Sequence, residues 1–200
     1  MKGRFGGRGC RIVSSLLACV AVTLALVPVP ARAADDPWSG DANWVSVRFG
    51  YAKSAAEFAP DGSVGYGFGY TRFLQNGLAW SATVQHDLLG RFGGAALIEV
   101  PFTVEFTRHV KWSQSARPYL GLGLGAFYHK TYRTGADESG FRQGIYFATG
   151  ANAAIDRSSL IGLDVRIVVE QDTRSINPSF PNLKPSGSEW SAKLSYSRLL

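Results

Sequence analysis

Residues 160–170 read LIGLDVRIVVE, and this stretch decides the fold class. Its odd positions are all large apolar residues, and every charged residue falls on an even position. A period of two is the period of a β-strand, whose successive side chains point to opposite faces of the sheet. One face of this strand is therefore continuously apolar, whereas the other carries Asp164, Arg166 and Glu170.

The same alternation recurs along the chain after residue 40. It appears in segments of roughly ten residues, the length that crosses a bilayer at a tilt. The segments are 43–52, 63–73, 78–85, 96–107, 120–126, 145–153, 161–170 and 190–197. No stretch has a convincing helical period, so the sequence predicts an all-β protein.

The connections between these segments alternate in length. Tight turns are predicted at Gln75-Asn76-Gly77 and Asp156-Arg157-Ser158-Ser159, and a longer turn over 109–116. Longer loops are predicted over 53–62, 131–141 and 171–187, with a shorter one over 89–94. Short connections at one end and long ones at the other are typical of an antiparallel up-and-down transmembrane β-barrel. We therefore predict such a barrel, of about eight strands, over residues 43–200.

The chemistry of the two strand faces favours this barrel over a soluble β-sandwich or a lipocalin-like barrel. A soluble barrel buries its apolar face and presents its polar face to water. Here the second face is mostly Gly, Ala, Ser and Thr, which suits a narrow packed interior, and the large apolar face suits lipid. Aromatic residues near strand ends are expected to form girdles at the membrane interfaces. They are Trp44, Tyr51, Tyr70, Trp80, Phe106, Tyr128 and Trp190.

The inward face is predicted to carry a network of paired charges. Its members are Arg48, Glu99, Glu105, Asp164, Arg166, Glu170 and Lys193. A barrel of about eight strands has room for side chains but not for a wide channel. Each charge needs a partner, because an unpaired buried charge costs several kcal/mol or more. The alternative role for these residues is a proton- or ion-conducting path.

The N-terminus is typical of an export signal. A basic segment is followed by an apolar run from Ile12 to Val27, and Ala31-Arg32-Ala33 has the small-x-small pattern of a signal peptidase site. We predict a cleaved signal peptide over residues 1–33, a short periplasmic segment over 34–42, and the cell outer membrane as the destination. A lipoprotein signal ending at Cys19 is a weaker alternative, since the apolar run continues beyond it.

Cleavage changes which partners the charge favours. The precursor carries a net charge of +6. Five of its 21 basic residues lie in the predicted signal: Lys2, Arg4, Arg8, Arg11 and Arg32. Their removal leaves 16 basic residues against 15 acidic ones, a net charge of +1. The basic character therefore belongs to the signal, and nucleic-acid binding loses its support. Cys10 and Cys19 are removed as well, so no disulfide or cysteine-based metal site is expected.

Two motifs resemble those of small bacterial outer-membrane β-barrel proteins. Residues 117–125 read RPYLGLGLG and residues 160–166 read LIGLDVR, similar to the R-P-Y-x-G-x-G-x-G strand and the late G-L-x-x-R strand of such barrels. The resemblance implies outer-membrane lipid, lipopolysaccharide and the barrel assembly machinery as partners. It implies no cofactor and leaves the oligomeric state open. The expected function is a non-enzymatic structural or surface role through the extracellular loops.

Two other functions remain open, a lipid A or phospholipid acyl-hydrolase and a narrow channel for small or hydrophobic solutes. His86 and His129 are expected near the extracellular rim, and His109 is expected to be solvated in a periplasmic turn. Lipid A deacylases, which resemble such barrels, have a His-x-Ser-Asn motif, and here His129 is followed by Lys130 and Thr131. No nucleophile–base pair is evident, so we predict no catalytic residue and no metal ligand.

Overall fold

The computed structural model of the protein describes residues 36–55, 61–92, 95–132, 138–170 and 188–200. Eight strands account for most of these residues. They are β1 (Asn43–Ser54), β2 (Ser63–Phe73), β3 (Leu78–Phe92), β4 (Ala95–His109), β5 (Ala116–Tyr132), β6 (Glu138–Asp156), β7 (Ser159–Glu170) and β8 (Ser188–Leu199). The predicted signal peptide and the 171–187 loop lie outside the described residues.

Each strand pairs antiparallel with its neighbour in sequence, and β1 closes the sheet by pairing with β8. The closing register runs from Trp44 opposite Leu199 to Ser54 opposite Glu189. The predicted all-β, antiparallel, eight-stranded barrel is therefore confirmed. No helix among the described residues is long and apolar enough to cross a membrane.

The two ends of the barrel differ in their connections. At one end, called here the turn end, β2–β3, β4–β5 and β6–β7 are joined by short connections, and the other end is called the loop end. The predicted turn at residues 75–77 is a 3₁₀ turn in which Asn76 has φ 61° and Gly77 has φ 72°. Those are left-handed conformations that Asn and Gly adopt most readily.

Several strands are longer than the sequence predicts, and the excess lies mainly at the loop end. The predicted 89–94 loop is reduced to residues 93–94, and β5 and β6 extend into the predicted 131–141 loop. A bulge between Leu88 and Gly90 lets β3 continue, with Gly90 at φ 100°. Polar residues at strand ends hide the alternation, so the pattern ends before the backbone pairing does.

The outside of the barrel is apolar along its length. Arg166 is 3% exposed, whereas the neighbouring Ile167 is 55% exposed, as the alternation in residues 160–170 predicts. Other large apolar side chains exposed on the strands are Phe49, Phe102, Phe106, Leu120, Leu122, Leu124, Ile145, Ile161, Leu163 and Leu194. A continuous apolar belt outside a closed barrel is the arrangement that lipid requires and water does not tolerate. The fold is that of a membrane protein.

Residues 36–42 fold against the turn end. Trp38 is buried there and packs edge-on against Phe73, with ring centroids 5.6 Å apart. Trp44, which the sequence places in an interfacial girdle, is also buried, and its indole nitrogen donates to the Pro37 carbonyl at 3.0 Å. That prediction for Trp44 is wrong, because an even position on β1 points inward, as Ser46 and Arg48 do.

Candidate functional site in the barrel interior

The structure buries all seven charged residues that the sequence assigns to the interior. Arg48, Glu99, Glu105, Asp164, Arg166, Glu170 and Lys193 are each at most 9% exposed. They do not form one continuous network. They divide into a central cluster, a lysine pair beside it and an acidic cluster at the loop end.

The central cluster consists of Arg48, Glu105, Asp164 and Arg166. Arg166 Nη2 lies 3.0 Å from Glu105 Oε2, and Arg166 Nε donates to Asp164 Oδ1 at 2.8 Å. Arg48 faces the same two carboxylates, at 3.3 Å from Asp164 and 3.9 Å from Glu105. Two cations and two anions thus balance, and they join β1, β4 and β7 across the lumen.

Two tyrosines outside the predicted charge network complete this cluster. The Tyr119 hydroxyl donates to Asp164 Oδ2 at 2.5 Å, and the Tyr146 hydroxyl donates to Glu105 Oε2 at 3.0 Å. Each carboxylate therefore accepts a neutral hydrogen bond as well as its ion pairs. Satisfying several lone pairs of a buried carboxylate offsets its loss of water.

Glycine makes room for these large polar side chains. A Cβ on Gly123 would collide with the ring of Tyr146, which lies over β5 at that point. The alternating glycines of residues 121–125 are thus explained by the packing of a narrow interior. They do not form a phosphate-binding loop, since no helix follows them.

Replacing Gly123 with Ala is expected to destabilise the barrel by about 1–3 kcal/mol, the cost of forcing atoms into a packed interior. Gly140→Ala is the matched control, because nothing lies within 4 Å of a Cβ built there. Urea unfolding of both variants in phospholipid vesicles measures the difference. Equal midpoints would show that Tyr146 is not packed over Gly123.

Lys193 has a separate partner. Its ammonium group donates to Asp87 Oδ1 at 2.6 Å and to Oδ2 at 2.8 Å, and it also contacts the Gln85 amide oxygen. Asp87 lies two positions beyond the predicted strand segment 78–85, where a loop residue would be exposed. The residue is buried instead, because β3 continues with the same parity past Gln85.

The acidic cluster lies at the loop end and consists of Glu99, Glu170, Glu189 and His129. His129 Nδ1 is 3.1 Å from Glu99 Oε2, and His129 Nε2 is 3.0 Å from Glu170 Oε2. Glu189 forms a carboxyl–carboxyl hydrogen bond with Glu99. Arg142 reaches the edge of the cluster, with Nη1 3.7 Å from Glu170 Oε2.

Several buried oxygens in this cluster have no hydrogen-bond donor. They are Glu99 Oε1, both carboxylate oxygens of Glu170, and Glu189 Oε2. His129 Nε2 likewise makes no hydrogen bond despite its short distance to Glu170. One donor atom from each of Glu99, His129 and Glu170 lies within 4.8 Å of the others. These residues have the chemistry to hold a metal ion.

The third histidine lies at the turn end and is not solvated. His109 is the last residue of β4 and is buried between the tilted rings of Phe73 and Tyr119, whose centroids are 4.8 Å and 5.0 Å away. Its Nε2 lies 3.1 Å from the Thr107 hydroxyl. The prediction that His109 is solvated in a periplasmic turn is wrong. Strand β4 extends to His109, and its side chains at odd positions, including Thr107 and His109, point into the barrel.

Two small cavities lie in the part of the interior that the structure describes. One of about 30 Å³ lies at the loop end beside Glu99, His129 and Glu170. Another of about 30 Å³ lies on the turn-end side of the central cluster, near Ser46 and His109. Each has room for only a few water molecules, and the central cluster lies between them.

Comparison with solved structures identifies the class of fold. Neisserial surface protein A is similar over 78% of this chain and 96% of its own, with a TM-score of 0.63 and 11% identity. The N-terminal barrel domain of OprF from Pseudomonas aeruginosa is similar over 81% and 100%, with a TM-score of 0.58 and 11% identity. Ail, the attachment invasion locus protein of Yersinia pestis, is similar over 80% and 99%, with a TM-score of 0.54 and 10% identity.

The protein has the fold of the small eight-stranded outer-membrane β-barrel proteins. No protein-family model matches its sequence, and no curated protein sequence matches it. At such low identity the structural likeness defines the fold alone.

Proposed function

We propose that this protein is exported to the outer membrane and forms a non-conducting barrel whose role is carried by its extracellular loop end. The observation that carries the proposal is the central cluster. Four charged side chains from β1, β4 and β7 form ion pairs across the lumen, with nitrogen–oxygen distances of 2.8–3.9 Å. Opening a passage there would require parting buried ion pairs, which is costly.

A surface role is supported by the asymmetry of the two ends. The turn end has short connections and is covered by residues 36–42, with Trp38 buried against it. The loop end carries the longest connection, residues 171–187. Barrels of this class place short turns in the periplasm and long loops outside the cell. Two barrels with the same fold are, by name, a surface protein and an attachment invasion protein.

The partners follow from the same surfaces. The apolar belt fits outer-membrane lipid. With the loop end outside the cell, the lipid around its rim would be lipopolysaccharide. The barrel assembly machinery is the expected route of insertion, after removal of residues 1–33. Residues 34–42 would then lie in the periplasm.

The channel alternative gives a direct test of the proposal. Purified protein in planar lipid bilayers is expected to show no steady conductance, and proteoliposomes should not swell in small sugars. A general porin under the same conditions is the positive control. A steady conductance that changes in a Lys193→Met variant would place an ion path through the lumen and contradict the proposal.

The acyl-hydrolase alternative has less support. A histidine acting as a general base must present one nitrogen to a nucleophile and the other to an orienting group. Both nitrogens of His129 instead face carboxylates, at 3.1 and 3.0 Å. The imidazole also lies against the interior cavity, away from the lipid-facing surface.

A further inference from the structure

We propose that the loop end holds one divalent transition-metal ion of the zinc class, with ligands from Glu99, His129 and Glu170. These residues come from β4, β5 and β7, so a bound ion would tie three strands together at the mouth of the barrel. This site is independent of the non-conducting role proposed above.

Charge is the first support for the site. Three buried carboxylates, Glu99, Glu170 and Glu189, meet around the cavity at the loop end. Glu99 and Glu189 share one proton in their hydrogen bond, so the three groups carry two negative charges, against one ion pair from Arg142, which lies 3.7 Å from Glu170. Lys130 lies against the Tyr132 ring, 4.4 Å from its centroid. Buried negative charge in excess of its partners favours a cation.

Unpartnered polar atoms are the second and independent support. Glu99 is 1% exposed, and its Oε1 has no hydrogen-bond donor. Glu170 Oε1 also has no partner, and Glu170 Oε2 lies 3.0 Å from His129 Nε2 without meeting hydrogen-bond geometry. Buried polar atoms are nearly always satisfied, so a group of them around one cavity indicates a missing ligand.

The donor set indicates the kind of metal. An imidazole nitrogen with two carboxylates suits zinc and its neighbours, whereas calcium takes six to eight oxygen ligands and magnesium keeps most of its water. The three donor atoms lie within 4.8 Å of one another. Ligands around a tetrahedral zinc are about 3.3 Å apart, given bonds of about 2.0–2.1 Å. Rotations of two flexible glutamate side chains close that difference.

The local geometry also orients the histidine for this role. With Nδ1 at 3.1 Å from Glu99 Oε2, Glu99 can accept the Nδ1 proton and leave the Nε2 lone pair facing Glu170 Oε2, 3.0 Å away. Carboxylates commonly hold metal-binding histidines in this way. Glu99 has a second oxygen without a donor, which is available to the ion itself.

The test uses the full barrel purified without a histidine tag, freed of metal with a chelator and held in detergent micelles. Titration with Zn²⁺ by calorimetry, and with Co²⁺ by visible absorption, is expected to show one saturable site per chain. His129→Ala and the nearly isosteric Glu170→Gln should each weaken binding by at least about tenfold. His86→Ala is the matched control, because His86 stacks on Tyr66 and is not part of the cluster.

Heat-dependent migration in SDS verifies that each variant is folded. If Glu170→Gln alone folds, it decides the question by itself, since it removes a ligand charge while conserving the shape. The absence of saturable binding by the unmodified protein would overturn the proposal. So would binding unchanged in a folded Glu170→Gln variant, or binding lost only in His86→Ala.

Discussion

Replacing Arg166 with Met is expected to destabilise the barrel by about 3–5 kcal/mol, the cost of removing one partner from a buried ion pair. Arg166 contacts Glu105 at 3.0 Å and Asp164 at 2.8 Å and is almost wholly buried. After the substitution, two carboxylates share the single guanidinium of Arg48. Urea unfolding in phospholipid vesicles near neutral pH measures the loss.

The dependence on pH distinguishes lost charge pairing from lost packing. Acidification protonates the stranded carboxylates, so the penalty should shrink as the pH falls and grow as it rises. Adding Asp164→Asn to Arg166→Met restores the charge balance and should recover part of the stability. Arg72→Met is the control, because it breaks only an exposed pair with Asp41. A penalty independent of pH, or an equal loss in the Arg72 variant, would contradict the assignment.

Replacing Val165 with Arg is expected to cost about 2–4 kcal/mol, because it places a charge against lipid near the middle of β7. Val165 points outward between Leu163 and Ile167, which are 48% and 55% exposed. The same unfolding measurement in vesicles applies. A water-soluble barrel would tolerate a charge at this position with little change in stability.

Depth in the bilayer provides the control for this prediction. Ile155 is exposed near the end of β6, at the turn end of the barrel, where an outward arginine reaches the interface. Ile155→Arg should therefore cost only about 0–1 kcal/mol. Equal effects at Val165 and Ile155 would mean that no depth-dependent lipid environment surrounds the barrel.

The fold could be predicted from the sequence because alternation is a local property. In residues 160–170 the large apolar residues at odd positions point outward and all the charged residues at even positions point inward. The structure keeps this parity throughout β7. Closure of the barrel then follows, since strands within lipid cannot leave an edge unpaired. The lengths of the connections and the residues in the short turns indicate that strands adjacent in sequence pair with each other.

Strand ends were the weaker part of the prediction. Asp87 and Glu189 lie one or two positions beyond the predicted segments and were left out of the interior. Extending the same parity past Gln85 places Asp87 inside, and extending the last strand back from Trp190 places Glu189 inside. The alternation in the sequence therefore extends to both residues. Polar residues that point inward at a strand end nevertheless look like loop residues when a single strand is considered.

Which charges meet across the lumen could not be predicted. Glu99, Glu105 and Asp164 all belong to the predicted inward set, yet the structure places Glu105 and Asp164 beside Arg166 and brings Glu99 to His129. Contacts between strands that are not neighbours depend on the stagger of the closed barrel. That stagger is a property of the whole sheet, and no single segment encodes it.

The central claim is that β7 separates lipid from a polar interior, and paired cysteine substitutions test it most directly. Val168 and Val169 are adjacent residues of one type, and they are 3% and 54% exposed. A lipid-soluble maleimide applied to the folded protein in vesicles is expected to label Val169→Cys rapidly and to leave Val168→Cys unlabelled until the barrel is unfolded. Faster labelling of Val168→Cys would mean that the two faces of the strand are exchanged and that the interior is apolar. That result would contradict the membrane barrel.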